Sequence, residues 1–293
     1  MKPQRPVLPE RSDQLKGFLS VVATAVIWST SGLFIKLIDW HPIAIAGSRS
    51  LISALLLIVI NRRFSFPKTV AGWGAAISYC LTLFTYVIAT KLTTSANAIF
   101  LQYLAPAFVA VFSIFLLKEK LRPLDWLILA GVTGGMVLFF FDRIGPGSTA
   151  GNIIAVCSGL CLGFFTVCMR IDSLNVSARP IDNMIFGDLI TAAISIPFIV
   201  TAPAPGSRDL LGILFLGLIQ KGITSLTYTY AVRRITAFSV SIITLVEPVM
   251  NPVWVYLAIG EQPSPAALAG GVIILVLVTL RTVLVLRRAR YGS

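Results

Sequence analysis

The stretch Ile242–Trp254, IITLVEPVMNPVW, places one carboxylate, Glu247, directly before a helix breaker, Pro248. A second proline, Pro252, follows one helical turn on, and the whole stretch lies in an apolar run. A charge in the middle of a bilayer costs roughly 2.5–3.5 kcal/mol on insertion scales, so a residue of this kind has either a partner or a function. The other ionisable residues inside apolar runs are Lys36, Arg49, Asp188, Lys221 and Arg281. Glu247 and Lys221 fall near the middle of consecutive, hence antiparallel, segments. Their equal depth predicts a Glu247–Lys221 pair, with Arg49 and Lys36 as competitors for the carboxylate. Asp188 is expected to find a basic partner such as Arg281. Whether Glu247 gates, carries a coupling proton or only balances a cation depends on what faces it.

Other chemistries lack their residues. The one histidine, His41, falls in an expected loop, and there is neither an HExxH sequence nor a nucleophile–base pair. Cys80, Cys157, Cys161 and Cys168 form no CxxC, so no metal site is expected. No cofactor is expected, and the absence of a phosphate-binding loop argues against nucleotide as the energy source.

The elements that must position these residues follow from composition. The chain has 293 residues, 56% hydrophobic and 12% charged, with a mean hydropathy of +0.88; soluble domains carry about 25% charged residues. Uncharged runs such as Thr69–Thr90, Leu92–Leu117, Ile144–Met169, Leu189–Ser207 and Gln262–Leu280 have the length of transmembrane helices. The expected fold is an all-α polytopic membrane protein with ten transmembrane helices, at 15–38, 42–60, 70–90, 94–117, 124–141, 149–170, 181–200, 209–231, 235–259 and 265–286. Residues 1–16 are too proline-dense for a helix and read as a disordered cytoplasmic arm. Residues 287–293 read as a basic cytoplasmic tail.

The net charge of +12 is clustered between apolar runs, which is the pattern of membrane topology rather than of a nucleic-acid surface. Clusters such as Arg62/Arg63/Lys68, Lys118/Lys120/Arg122, Arg233/Arg234 and Arg287/Arg288/Arg290 all fall on the side of the N-terminus. The opposite side holds Lys91, Arg143 and Arg208. The positive-inside rule therefore puts both termini in the cytoplasm.

The chain also repeats itself. A constant offset aligns TSANAIFLQYLAPAFVAVFSIFLLKEKLRP with TAFSVSIITLVEPVMNPVWVYLAIGEQPSP, matching Thr94 to Thr236, Pro106 to Pro248, Glu119 to Glu261 and Pro123 to Pro265. Gly17 matches Gly151 and Lys36 matches Arg170 at a slightly smaller offset. Two five-helix copies are implied, at 17–141 and 149–286, and an odd number of passes inverts the second copy. Inverted repeats with interrupted helices mark a substrate site at the midplane. Pro106, Pro248 and Pro252 are the expected helix breaks, and Pro106 and Pro248 each free a carbonyl, of Gln102 and of Thr244. Glu247 has no charged counterpart, since Ala105 occupies the matching position.

LQYLAPAFVAVFSIFLLKEKL, SIITLVEPVMNPVWVYLAIGE, AVIWSTSGLFIKL and GSRSLISALLL together resemble the drug/metabolite transporter superfamily, in its ten-helix branch with two EamA-type domains. The resemblance covers about residues 17–286. It implies an inner-membrane carrier of small metabolites, often an exporter, and makes Glu119 and Glu261 end-of-helix anchors rather than substrate ligands.

Polar side chains form stripes on the expected helices. The candidate cavity-lining set is Trp28, Tyr79, Tyr86, Asn97, Gln102, Tyr103, Lys221, Tyr228, Thr244, Glu247 and Asn251. Their competing role is helix-to-helix bonding. The expected function is a secondary active transporter, an exporter of a small organic metabolite such as an amino acid, working by alternating access. A passive facilitator or a membrane subunit of a complex is the alternative, and an intramembrane enzyme is disfavoured. The expected partners are a small-molecule substrate, the bilayer and a coupling proton, with no nucleic acid; the protein is expected as a monomer or homodimer. Its expected place is the cell inner membrane.

Overall fold

A computed structural model describes residues 11–30, 34, 38, 40–93, 95–119, 121–141, 148–259 and 264–291; for Asn251 and Pro252 it describes the backbone alone. Every regular element among the described residues is helical. The first half runs α1 (Arg11–Trp28), α2 (Pro42–Asn61), α3 (Val70–Leu92), a broken pass made of α4 (Ser95–Gln102), α5 (Ala105–Phe112) and a π-helical turn at Ser113–Leu117, then α6 (Pro123–Phe140). The second half runs α7 (Thr149–Ser173) and α8 (Pro180–Val200). A composite pass follows, made of α9 (Ser207–Leu214), a π-helical stretch at Phe215–Ile223 and α10 (Thr224–Val232). The broken pair α11 (Ala237–Ile243) and α12 (Val246–Ile259) comes next, and α13 (Pro265–Tyr291) ends the chain.

Among the described residues, eight passes are long and apolar enough to cross a bilayer as they stand. The remaining two are α1, whose first turn carries Asp13, and the α11–α12 pair. Leu19, Leu55, Val59, Leu127, Val200, Leu211, Leu257 and Val272 are well exposed. On a soluble protein such a surface would be an association liability; on this chain it is the face that lipid covers. The protein is an all-α polytopic membrane protein.

Packing follows the repeat. The second pass packs on the seventh (α2 on α8), the fourth on the ninth (α5 on α11) and the fifth on the tenth (α6 on α13). The third pass packs on the sixth (α3 on α7) just as the eighth packs on the first (α10 on α1). Equivalent passes meet one another at a pseudo-twofold axis and the others exchange partners, as two inverted five-helix copies require.

Three local features differ from the sequence expectation. Helix α1 begins at Arg11, inside the segment expected to be a disordered arm: the last proline of the arm is Pro9, and Asp13 in the first turn favours a helix start. It also ends at Trp28, where Ser29 and Thr30 turn their hydroxyls back onto the Val26 and Ile27 carbonyls at 2.6 and 2.7 Å; Phe34 is helical again, its N–H on the Thr30 carbonyl at 3.4 Å, and most of the remainder to 38 lies outside the described residues. Pro252 does not interrupt its helix, which runs through to Ile259.

The other two breaks fall before their prolines. Tyr103 and Leu104 separate α4 from α5, with Pro106 in the first turn of α5, where its missing N–H costs little. Thr244 and Leu245 separate α11 from α12, ahead of Pro248. The Thr244 carbonyl, freed by Pro248, accepts the Glu247 N–H at 3.0 Å. The Gln102 carbonyl packs against α7 at Gly159, where an added Cβ would lie 2.7 Å from it.

Glycine also sets the α6–α13 contact. A Cβ at Gly270 would lie 2.4 Å from the Phe139 nitrogen and 2.5 Å from the Gly135 oxygen, both backbone atoms that cannot swing aside. One at Gly134 would meet nothing within 4 Å. Gly270→Val is therefore expected to lower stability in detergent by about 1–3 kcal/mol or more. Gly134→Val, on the exposed face of the same helix pair, is expected to change it by no more than about 0.5 kcal/mol. Thermal unfolding of the two purified variants checks this.

Candidate functional site

Four ionisable residues meet in the interior. Arg49 comes from α2, Asp188 from α8, Lys221 from the π-helical stretch and Glu247 from the start of α12. Lys221 does not pair with Glu247. Its ammonium forms a buried ion pair with Asp188, donates to the Ser50 hydroxyl at 2.6 Å and lies 4.8 Å from the centroid of the Tyr79 ring. The expectation of a Glu247–Lys221 pair rested on equal depth, and depth does not fix direction. The wider i→i+5 turns of the π stretch rotate Lys221 away from its α-helical register, toward α2 and α8. There Gly217 and Gly222 allow close approach: a Cβ at either would lie 2.6 Å from Ile52 or Leu56, respectively.

Asp188 likewise does not reach Arg281. Arg281 pairs with Asp125 at 3.1 Å, donates to Ser239 at 2.7 Å and lies 4.6 Å from the Phe238 ring. The reason is position: Asp125 is in the first turn of α6, the helix on which α13 packs, whereas Asp188 lies well inside α8. At that same end Glu119 feels both Arg170 and Arg281. Burial pushes its carboxyl above the ordinary carboxylate range, and the two guanidiniums pull it back down.

Glu247 faces a different set. Tyr103 is the phenol that acts on it, and Arg49 is the cation. Tyr86 feels both Glu247 and Arg49. Arg49 also feels Asp188, so it joins the two charge pairs into one group with no net charge. Glu247, Arg49, Tyr86 and Tyr103 are half-buried, whereas Lys221 and Asp188 are enclosed.

Several of the other expected residues share this interior. Trp28 stacks on Tyr228 at 5.7 Å, Tyr228 on Phe165 at 5.5 Å, and Phe165 on Tyr79 at 5.0 Å. The Trp28 indole donates to Thr224 at 2.8 Å and the Tyr228 hydroxyl to Thr166 at 3.1 Å. Asn97 and Gln102 instead join helix to helix. Asn97 donates to Asn152 at 3.2 Å, and Gln102 to Ser158 at 2.9 Å. Thr244 is half-buried at the helix break and turns its hydroxyl onto the Ser241 carbonyl at 2.9 Å. Asn251 and Pro252 have side chains outside the described residues. Pro106 and Tyr103 line a small cavity of about 10 Å³ with Phe100, Leu129 and Leu245, about the room that one water needs.

Ser50 and Phe165 were not singled out from sequence. A signal for Ser50 existed: it is the ninth residue of α2, as Asp188 is the ninth of α8, and both helices open on a proline. The Lys221 ammonium thus bonds to two equivalent positions of the repeat. The offset that matches Pro106 to Pro248 also matches Tyr79 to Lys221, and these two lie 4.8 Å apart. Phe165 carried no signal beyond being one apolar residue among many.

The pattern that describes EamA-like transporters matches twice along the sequence, over residues 15–141 and 149–282. The chain belongs to the EamA-like transporter family. A solved crystal structure superposes on this transporter with a TM-score of 0.80 at 23% identity, covering 94% of this chain and 99% of its own, which shows a shared fold. The aromatic amino acid exporter YddG of Ancylobacter novellus is 27% identical over 70% of this chain and 71% of its own. The pseudopaline exporter CntI of Pseudomonas aeruginosa is 25% identical over 78% of this chain and 81% of its own. The uncharacterized transporter YoaV of Bacillus subtilis is 22% identical over 89% and 94%. The protein is a multi-pass membrane transporter.

Removing one partner of an enclosed ion pair leaves a charge uncompensated, at a cost of about 3–5 kcal/mol. Lys221→Met is therefore expected to lose most of its folded yield, and Lys221→Met with Asp188→Asn to recover much of it. Size-exclusion profiles and thermal midpoints in detergent check this; a double variant no better than the single one would contradict the pairing.

Proposed function

We propose that the protein is a secondary active transporter, exporting a small organic metabolite such as an amino acid by alternating access. We place it in a bacterial inner membrane with both termini in the cytoplasm. The observation that carries the reading is the charge-balanced group Arg49, Asp188, Lys221 and Glu247, to which both repeats contribute. A polar group of this kind in the hydrocarbon interior is costly unless it serves transport, and a site shared by two inverted copies is where a rocking motion exposes a solute to either side.

The exporters among the relatives support the direction of transport. An amino acid as cargo is supported by the relative named for aromatic amino acids. The two repeats, 17–141 and 149–286, are the moving halves in this reading. The helix breaks at Tyr103–Leu104 and Thr244–Leu245 are the places where backbone torsion absorbs the change. Glu247, which has an uncharged counterpart in the other repeat, is the coupling-proton candidate.

Proteoliposomes test the reading. Saturable uptake accelerated by solute on the opposite side is expected for a carrier; flux that rises linearly with concentration would mark a passive pore. Glu247→Gln is expected to abolish the response of transport to an imposed pH gradient. An undiminished gradient response in this variant would remove Glu247 from proton coupling.

A further inference from the structure

The four interior charges are not equivalent. The Lys221 ammonium is saturated by Asp188, Ser50 and the Tyr79 ring, so it is occupied by the protein itself. Arg49 is the opposite case. Among the described residues its guanidinium forms neither a hydrogen bond nor an ion pair, and its Nε is buried without a partner. Buried donors are normally satisfied, and the planar guanidinium fork fits a carboxylate better than any other side chain does. Glu247 is the carboxylate of the second repeat's broken pass whose charge acts on it. The two attract each other, yet among the described residues no ion pair closes between them. Tyr86 is within the field of both charges, and Tyr103 adjoins Glu247 and Tyr86. Two opposite charges with phenol rings beside them are therefore held in attraction without contact.

We infer that Arg49 and Glu247 are the two poles of a site for one small zwitterion, Arg49 taking its carboxylate and Glu247, with Tyr103, its ammonium. The inference rests on the transporter reading above and names the substrate class of that site. Because Arg49 belongs to the first repeat and Glu247 to the second, the solute bridges the two halves. Because Ala105 occupies the position equivalent to Glu247, and Gly187 is the eighth residue of α8 as Arg49 is of α2, neither pole is duplicated by the repeat. The solute accordingly binds in one orientation within a frame that is otherwise pseudo-symmetric. A solute with a single charge would leave the other pole desolvated and unpaired, so the site rejects it by penalty as well as by lost attraction. Lys221, although the most prominent cation in the sequence, contributes no direct contact.

The test uses the full-length protein in proteoliposomes, with the standard amino acids as a mixture. Phenylalanine, phenethylamine and hydrocinnamate serve as a matched series that keeps both charges, the ammonium alone or the carboxylate alone. Trans-stimulated amino-acid uptake is expected, with phenylalanine favoured over either singly charged analogue by about tenfold or more, the worth of one charged hydrogen bond. Glu247→Gln is expected to shift that preference toward hydrocinnamate and Arg49→Gln toward phenethylamine, each by about tenfold, whereas Arg49→Lys keeps the wild-type order. A monodisperse size-exclusion profile verifies that each variant is folded. Trans-stimulated flux without zwitterion preference, a preference that both variants leave unchanged, or no amino-acid flux at all overturns the site. Flux that is linear in concentration for every solute overturns the carrier reading instead.

Discussion

The Lys221–Asp188 ion pair is the contact on which the rest of the interior depends. Neither charge is stable alone in hydrocarbon, and neither lies near a membrane surface to which it can reach. Holding them together requires α2, α8 and the π stretch to meet closely, which Gly217 and Gly222 permit by presenting no side chain to Ile52 and Leu56. With Lys221 neutralised there, Arg49 and Glu247 are left to balance one another. The group as a whole is neutral while its two halves differ: one pair is closed, and the other is open.

The architecture around this group follows from chain duplication. Three pairs of equivalent passes meet one another, while the third and eighth exchange partners, and Tyr79 and Lys221, at matching positions of those two, still lie 4.8 Å apart. Prolines in the fourth and ninth passes interrupt two helices that also meet at the axis. The glycines of α7 close over the first break, with Gly159 against the Gln102 carbonyl and Gly163 against Phe108 and Ala105. An interrupted backbone is tolerated at membrane depth only where protein covers it or where a polar space receives it. At the first break the covering is visible. At the second, the Thr244 carbonyl is satisfied locally by the Glu247 N–H, which places the carboxylate at the opening turn of its helix.

Much of this was legible in the sequence. The apolar run lengths specified the passes, the repeated Pro106 and Pro248 located the breaks, and isolated charges in apolar runs named Arg49, Asp188, Lys221 and Glu247 as interior residues. Their pairing was not legible. Sequence order makes the Lys221 and Glu247 passes neighbours, but a stretch of π-helix changes which way Lys221 points, and nothing in FLGLIQKGI announces that turn. Arg281 misled for a related reason: depth along α13 was easy to read, but its packing on α6, where Asp125 waits, is tertiary. Asn97 and Gln102 are polar on the expected faces and bond across to α7, because a polar stripe looks the same whether it meets water or another helix.

The account stands on a site that is reached from both sides in turn, and solvent access at the second helix break measures this most directly. Thr244 is half-buried there and adjoins Glu247 in sequence. With the native cysteines replaced, Thr244→Cys in oriented proteoliposomes is treated with a membrane-impermeant thiol reagent from one side or the other. The account predicts modification from either side, and slower modification from both when solute saturates the site. Modification from one side alone, whatever solute is present, would contradict it.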